Sequence, residues 1–266
     1  IPLLLAHGSA DQLSAAEDFL VGRNAAALDI GSALGLLGDL VDYAEDVQAM
    51  DPVLKAIKTV IDRPLLPAVR TTSAGVFLET ERGKSAIADG ITCGSLFLRA
   101  GALLDSTLVT AVGRGLLVAA LGLTDDTGML PATVAVDGDR LGAREGSLGP
   151  ESVYTLLPLD RRTPKLTPLT RQVGAGAWIW TAARVVSVDA SASGLKIVLG
   201  YPAGVPCNTV IQGIRGFSLI RLHGIPWHTD PTYYRYSDGW AFDSDARTFY
   251  LKVTGRADQE EIDFVY

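Results

Sequence analysis

Cysteine and histidine are scarce in this 266-residue chain, which has two of the first, Cys93 and Cys207, and three of the second, His7, His223 and His228. The cysteines lie far apart, Cys93 in an apolar helical run and Cys207 just before a strand pattern. They read as two buried thiols; their spacing assigns no disulfide, and two cysteines do not decide a redox compartment. No histidine pair has metal-ligand spacing with a third ligand attached. In "HGIPWH", His223 and His228 flank a proline-containing turn near Asp230, a poor zinc or calcium set, so neither metal nor cofactor is expected. A basic stripe is also missing. With a formal net charge of -7, nucleic acid is not an expected partner. No glycine-rich loop leads from a strand into a helix, and no Gly-x-Ser-x-Gly elbow occurs, which leaves nucleotide binding and that class of hydrolase triad without support. Long apolar runs are absent too. The opening "IPLLLAHG" has no basic flank and is too short for a signal sequence or a membrane span. It and the closing "EEIDFVY", which has the pattern of an unfinished strand, suggest a fragment or a processed chain. Whether the protein is cytoplasmic or exported stays open.

What is present is a large apolar complement. Hydrophobic residues make up 48% and charged residues 20%, enough for a sizeable core in one large or two ordinary domains. The expected fold class is α+β with two parts: antiparallel helices over residues 1–158, a proline-rich connection over 159–172, and an antiparallel β-sandwich over 173–266. In the first part apolar residues recur at helical spacing. "SADQLSAAEDFL" opens with Ser9 or Asp11 as a cap. "NAAALDIGSALGLLGDLVDYAEDV" carries Gly31, Gly35 and Gly38 at intervals that predict close helix packing. Asp51-Pro52 starts "DPVLKAIKTVI", which Pro64 and Pro67 end. "GKSAIADGITCGSLFLRAGALL" and "STLVTAVGRGLLVAALGL" follow, the second capped by Asp105 or Ser106. From about residue 173 the period becomes two: "AWIWTAARVVSVDAS", "LKIVLGY", "NTVIQGI", "FSLIRLHG", "GWAFD", "RTFYLKVTG" and "EEIDFVY" are separated by turn signals, as in a sandwich of short strands.

The stretch "LFLRAGALLDSTLVTAVGRGLLVAALGLTDDTGMLPATV" resembles the helical hairpins of (α/α) toroid enzymes that act on glycans. "LGPESVYTLLP" then looks like a last short helix before an appended β-domain, an order found in polysaccharide lyases of the heparinase type and in several glycoside hydrolases. "GWAFDSDARTFYLKV" is similar to the accessory β-domains that trail some glycosidases. The resemblance implies a carbohydrate partner and cleavage of glycosidic bonds by hydrolysis or β-elimination. The helices number about half of those in a full toroid. The alternative is a non-enzymatic carbohydrate-binding or structural module.

Bond cleavage needs two carboxylates, or a base with a group that neutralises a substrate carboxylate. The candidates are Glu79 and Glu81 in "FLETERGKS", and Arg144, Glu151 and Tyr154 in the long loop expected from "GDRLGAREGSLGPESVY". Capping and solvated surface are the plainer readings of the glutamates, and packing that of Tyr154. For sugar binding, "GIPWHTDPTYYRYSDGWAFD" combines aromatic faces with hydrogen-bonding groups. Trp227, His228, Asp230, Tyr233 and Tyr234 are the candidates there, while Trp240 and Phe242 alternate as core. Trp178 and Trp180 share one strand face and divide between core, interface and ligand contact.

Overall fold

The computed structural model describes residues 2–47, 51–160, 162–229, 232–236 and 238–266. The fold is mixed α+β, with helices followed by antiparallel sheets. The helices are α1 (Pro2–His7), α2 (Ala10–Val21), α3 (Ile30–Val47), α4 (Asp51–Val60), α5 (Ile87–Leu103) and α6 (Thr107–Leu121). Between and after them run β1 (Val69–Thr72), β2 (Gly75–Leu78), β3 (Lys84–Ala86), β4 (Thr133–Asp137) and β5 (Arg140–Glu145). The C-terminal strands are β6 (Lys165–Pro168), β7 (Trp178–Thr181), β8 (Arg184–Ala190), β9 (Gly194–Gly200), β10 (Pro206–Gln212), β11 (Leu219–Leu222), β12 (Ile225–Pro226), β13 (Gly239–Asp243), β14 (Thr248–Thr254) and β15 (Gln259–Val265). The chain divides into two compact units, one of Glu17–Asp160 and one joining Ile1–Ala16 to Arg161–Tyr266.

In the unit Glu17–Asp160, helix ends follow local chemistry. Ser9 and Gln12, just ahead of it, form a reciprocal capping box at the start of α2, Ser9 Oγ accepting from Gln12 N–H and Gln12 Oε1 from Ser9 N–H. Ser106, rather than Asp105, caps α6 by accepting from Val109 N–H. In α4, Val53, Ile57 and Val60 are buried at i, i+4 and i+7, one apolar stripe. The chain then widens through a π-helical turn at Ile61–Leu65 containing Pro64, whose missing N–H prevents regular continuation, and tightens in a 3-10 turn at Leu66–Ala68. The glycines that bring helices close are in α5 and α6, not in α3. A Cβ on Gly35 would meet nothing within 4 Å, whereas one on Gly94 would meet Leu117 at 2.7 Å and one on Gly113 would meet Phe97 at 2.8 Å. Periodicity locates glycines on a helix but not the face a partner covers.

The expectation of helices alone before residue 158 is corrected by β1–β5. Strands β1 and β2 form a hairpin, and β3, β4 and β5 a three-stranded antiparallel sheet. The stretch expected as a long loop, residues 138–154, holds the turn and second strand of the β4–β5 hairpin and the first residues of a 3-10 helix, with Asp137 opposite Arg140 and Gly138 in the left-handed region at φ +59°. An Asp-Gly pair behind alternating Val134 and Val136 is a hairpin signal that the surrounding helical periodicity masked. A 3-10 helix, Pro150–Leu159, follows and packs on α5, where Ser95 Oγ donates to the Thr155 carbonyl at 2.6 Å.

In the other unit, two five-stranded antiparallel sheets have the orders β13-β14-β10-β7-β6 and β12-β11-β15-β9-β8. Their facing residues, including Ile179, Ile211, Phe249 and Leu251 from the first and Ile197, Ile220, Ile262 and Phe264 from the second, form one buried cluster. Phe217 joins it, with ring centroids 4.9 Å from Phe242, 5.2 Å from Phe264 and 5.7 Å from Trp240. The proline-rich segment is more than a connection: β6 forms an edge of its sheet, where Pro168 needs no ladder partner for a missing N–H. Thr170 Oγ1 donates to the Gly8 carbonyl at 3.3 Å, so the first residues pack with this unit. Cys93 and Cys207 are buried free thiols, and burial pushes the Cys93 thiol pKa well up. No helix among the described residues is long and apolar enough to cross a membrane.

Candidate functional site

Because β-strand side chains alternate, the inward residues of the first large sheet determine its outward ones. Residues 249, 251, 207, 211, 179 and 240 enter the core. The opposite parity places Ala241, Tyr250, Val210, Trp180 and Leu166 in one register row across all five strands. In that row Trp180 is 43% exposed and Tyr250 38%. One strand separates them, so their backbones stand about 10 Å apart. The next row is Asp243, Thr248, Gln212, Trp178 and Pro168. Here Gln212 Oε1 accepts from Thr248 Oγ1 at 2.6 Å while its amide donates to the Ala246 carbonyl at 2.6 Å. The Trp178 indole N–H is buried without an acceptor among the described residues. On the other side of the aromatic row lie Asn208 and Lys252, registered opposite each other. The face thus presents two exposed rings flanking Val210, bordered by the amide of Asn208 and the ammonium of Lys252, while the Thr248 hydroxyl is buried.

The five catalytic candidates all fall in the unit Glu17–Asp160, Glu79 and Glu81 in the connection between β2 and β3, Arg144 on β5, and Glu151 and Tyr154 on the 3-10 helix Pro150–Leu159. Glu79 follows β2; it accepts from Gly83 N–H at 2.7 Å and pairs with Arg70 at 2.6 Å. These contacts, the Gly83 bond first, hold its carboxyl below the usual glutamate range. Glu81 lies in the tight turn before β3, in a bridge with Lys84. Arg144 is exposed on β5 opposite Val134. Glu151 accepts from Gly149 N–H at 3.2 Å, and Tyr154 is 67% exposed on the 3-10 helix. None of the five lines the cavity at Gln172, Arg215 and Tyr266 or the one at Leu20, Leu40 and Thr59. Asp89 in the first turn of α5 is a half-buried carboxyl that sequence reasoning passed over; burial raises its pKa.

Of the sugar-binding candidates, Asp230 lies outside the described residues. Trp227 packs against the β core, and its carbonyl accepts from the Trp240 indole N–H at 3.0 Å. His228 is exposed. Tyr233 is half-buried against Gly239, and Tyr234, 61% exposed, meets the Tyr233 ring edge-on at 6.4 Å. Trp240 is buried and Phe242 packs on the core, as the alternation of "GWAFD" requires. His223 instead has a partner: its Nε2 donates to Glu260, whose buried carboxylate also accepts from Arg256 N–H at 2.5 Å and Ala257 N–H at 3.3 Å, organising the β14–β15 turn. Among the described residues no group of three or more His, Cys, Asp or Glu could hold a metal ion.

Tyr250 had a signal in the sequence. In "RTFYLKVTG" it is the aromatic at the outward parity between Phe249 and Leu251. No protein-family model matches the chain, and no curated protein matches it.

Proposed function

We propose that this chain is a glycan-binding protein whose ligand lies across the outer face of the sheet β13-β14-β10-β7-β6. The observation that carries this reading is the shared register row of Trp180 and Tyr250, both exposed on one sheet face. An aromatic face stacks on the C–H patches of a sugar ring, and its polar surroundings bond the hydroxyls. Two such faces two strand spacings apart suit an extended saccharide running across the strands. In this reading the facing sheets are a β-sandwich of the kind appended to glycan-processing enzymes, and the helical unit is a partial (α/α) toroid.

Cleavage of the bound glycan is the second reading. Hydrolysis requires an acid and a base or nucleophile about 5–10 Å apart around the bond, and β-elimination a base beside a group that neutralises a substrate carboxylate. Glu79 and Glu151 are already engaged by backbone N–H groups, and Glu79 by Arg70. Binding without cleavage is therefore the function the geometry favours.

The test is Trp fluorescence and calorimetric titration with neutral and uronic-acid oligosaccharides. Saturable binding that Trp180→Ala and Tyr250→Ala each weaken about tenfold, a change of about 1.4 kcal/mol, supports the proposal. Binding lost in Trp227→Phe but retained in Trp180→Ala and Tyr250→Ala moves the site to the 224–243 segment. No binding across the panel overturns it.

A further inference from the structure

A cavity of about 410 Å³ opens at one end of the two large sheets, lined among others by Gln172, Ser191, Ala192, Arg215, Arg247 and Tyr266. The residues come from separate connections: the one after β6, the β8–β9 turn, the β10–β11 crossing, the β13–β14 turn and the end of β15. Its charge is supplied by two arginines. We propose that this cavity binds an oxyanion, gripped between Arg215 and Arg247.

Both guanidiniums are held by neutral groups. Arg215 Nη2 donates to the Ala192 carbonyl at 2.5 Å and the Ser191 carbonyl at 3.5 Å, and its guanidinium carbon sits 3.7 Å from the centre of the Tyr266 ring. Arg247 Nε donates to the Ile214 carbonyl at 3.2 Å, and its Nη2 to the Gly213 carbonyl at 2.5 Å. Each guanidinium has five N–H donors, so these bonds orient the fork and leave donors for a ligand. Carbonyls and a ring face do not neutralise the charge. Neither arginine forms an ion pair among the described residues. Asp243, on the same turn as Arg247, turns its carboxylate to Asp245 N–H and Ala246 N–H, both at 3.0 Å.

Two further features fit a binding role. Arg247 is a non-glycine residue at φ +53°, a left-handed conformation that the surroundings must impose. The Tyr266 hydroxyl is pushed up by burial against the opposing pull of Arg215 and Arg247, so at neutral pH it remains a donor. Two fixed cationic forks and a phenol in a concave site match the geometry of carboxylate, sulfate or phosphate oxygens. In a chain of net charge -7, this cavity concentrates the opposite sign.

The test is an NMR titration of the arginine side-chain N–H signals at constant ionic strength, with inorganic phosphate, with glucuronate, and with glucose as the neutral control. The expected result is a saturable shift with at least one anion and none with glucose. Arg215→Gln weakens binding about tenfold or more, and Arg215→Lys, which keeps the charge but not the fork, weakens it less. Saturation by glucuronate alone identifies the carboxylate of an acidic saccharide as the source; saturation by phosphate alone identifies a free phosphate. Arg215→Gln and Arg247→Gln both remove bonds to backbone carbonyls, so each is read alongside its melting curve; Arg247 also sits in a left-handed turn position, so Arg215→Gln decides. Non-saturating shifts with every anion, or affinity unchanged in Arg215→Gln, overturn the proposal. Trp180→Ala retains anion binding, which keeps this outcome separate from that of the sheet-face site.

Discussion

The α5–α6 pair and the two facing sheets reach a close-packed interior in opposite ways. The helices are neighbours in sequence, joined by a short turn, and they approach where side chains are missing. A Cβ at Gly94 or Gly113 would fall within 2.9 Å of the partner's backbone, and one at Gly101 within 2.3 Å of the Thr110 hydroxyl. The sheets are assembled from distant segments and filled by bulk. Phe217, Trp240, Phe249 and Phe264 pack with tilted or edge-on rings at centroid distances of 4.9–6.1 Å. One interface depends on the absence of atoms and the other on their presence, so added volume is what breaks the first and lost volume is what breaks the second.

The largest effect is expected in the aromatic core. Phe249 is fully buried, and Phe249→Ala should cost about 3–5 kcal/mol in a denaturant melt. A loss under about 1 kcal/mol would mean the sheets do not depend on that volume. Gly113→Ala comes next. Alanine favours a helix over glycine by about 1 kcal/mol, yet the added methyl meets Phe97 and the Gly94 carbonyl, so a net loss of about 1–3 kcal/mol is expected. Gly35→Ala in α3 is the control, since nothing lies within 4 Å, and it should stabilise by up to about 1 kcal/mol. Equal effects at the two glycines would remove the distinction.

The smallest effect concerns Asp89 and pH. Burial raises its pKa, so the fold penalises the charged form. The favourable contribution is full below the ordinary aspartate pKa of about 3.9 and is lost as pH rises through the raised folded value. Asp89→Asn should therefore stabilise the fold at neutral pH, by less than about 1 kcal/mol after allowance for solvent screening, seen as a raised Tm, and the gain should vanish in acid. A gain that persists at pH 3 would point to something other than charge.

Much of the local structure was legible. Of the two caps read for α2, Ser9 or Asp11, Ser9 is the one used, because a cap is settled within four residues; its pairing with Gln12 as a capping box came from the structure. The C-terminal strands from "AWIWTAARVVSVDAS" to "EEIDFVY" appear as β7–β11 and β13–β15, because alternation is visible along a single strand. The same alternation put Trp240 inside. The short strands β1–β5 were not legible, since apolar helical runs on both sides set the period. The close-packing glycines were assigned to the wrong helix, because the face of α3 that carries Gly35 meets no partner.

By itself, then, the sequence determined which residues on each C-terminal strand share a face, where helices begin, and that the chain holds a large apolar core. Each of these depends on neighbours a few positions away. Only the tertiary structure decided that Tyr250 and Trp180 flank Val210 in one row, that Arg215 and Arg247 line one cavity, and that Gly8 reaches Thr170. These pairings join segments separated by 30 to 162 positions. Strand order and register select them, and both are set by the burial of the whole sheet rather than by any local pattern.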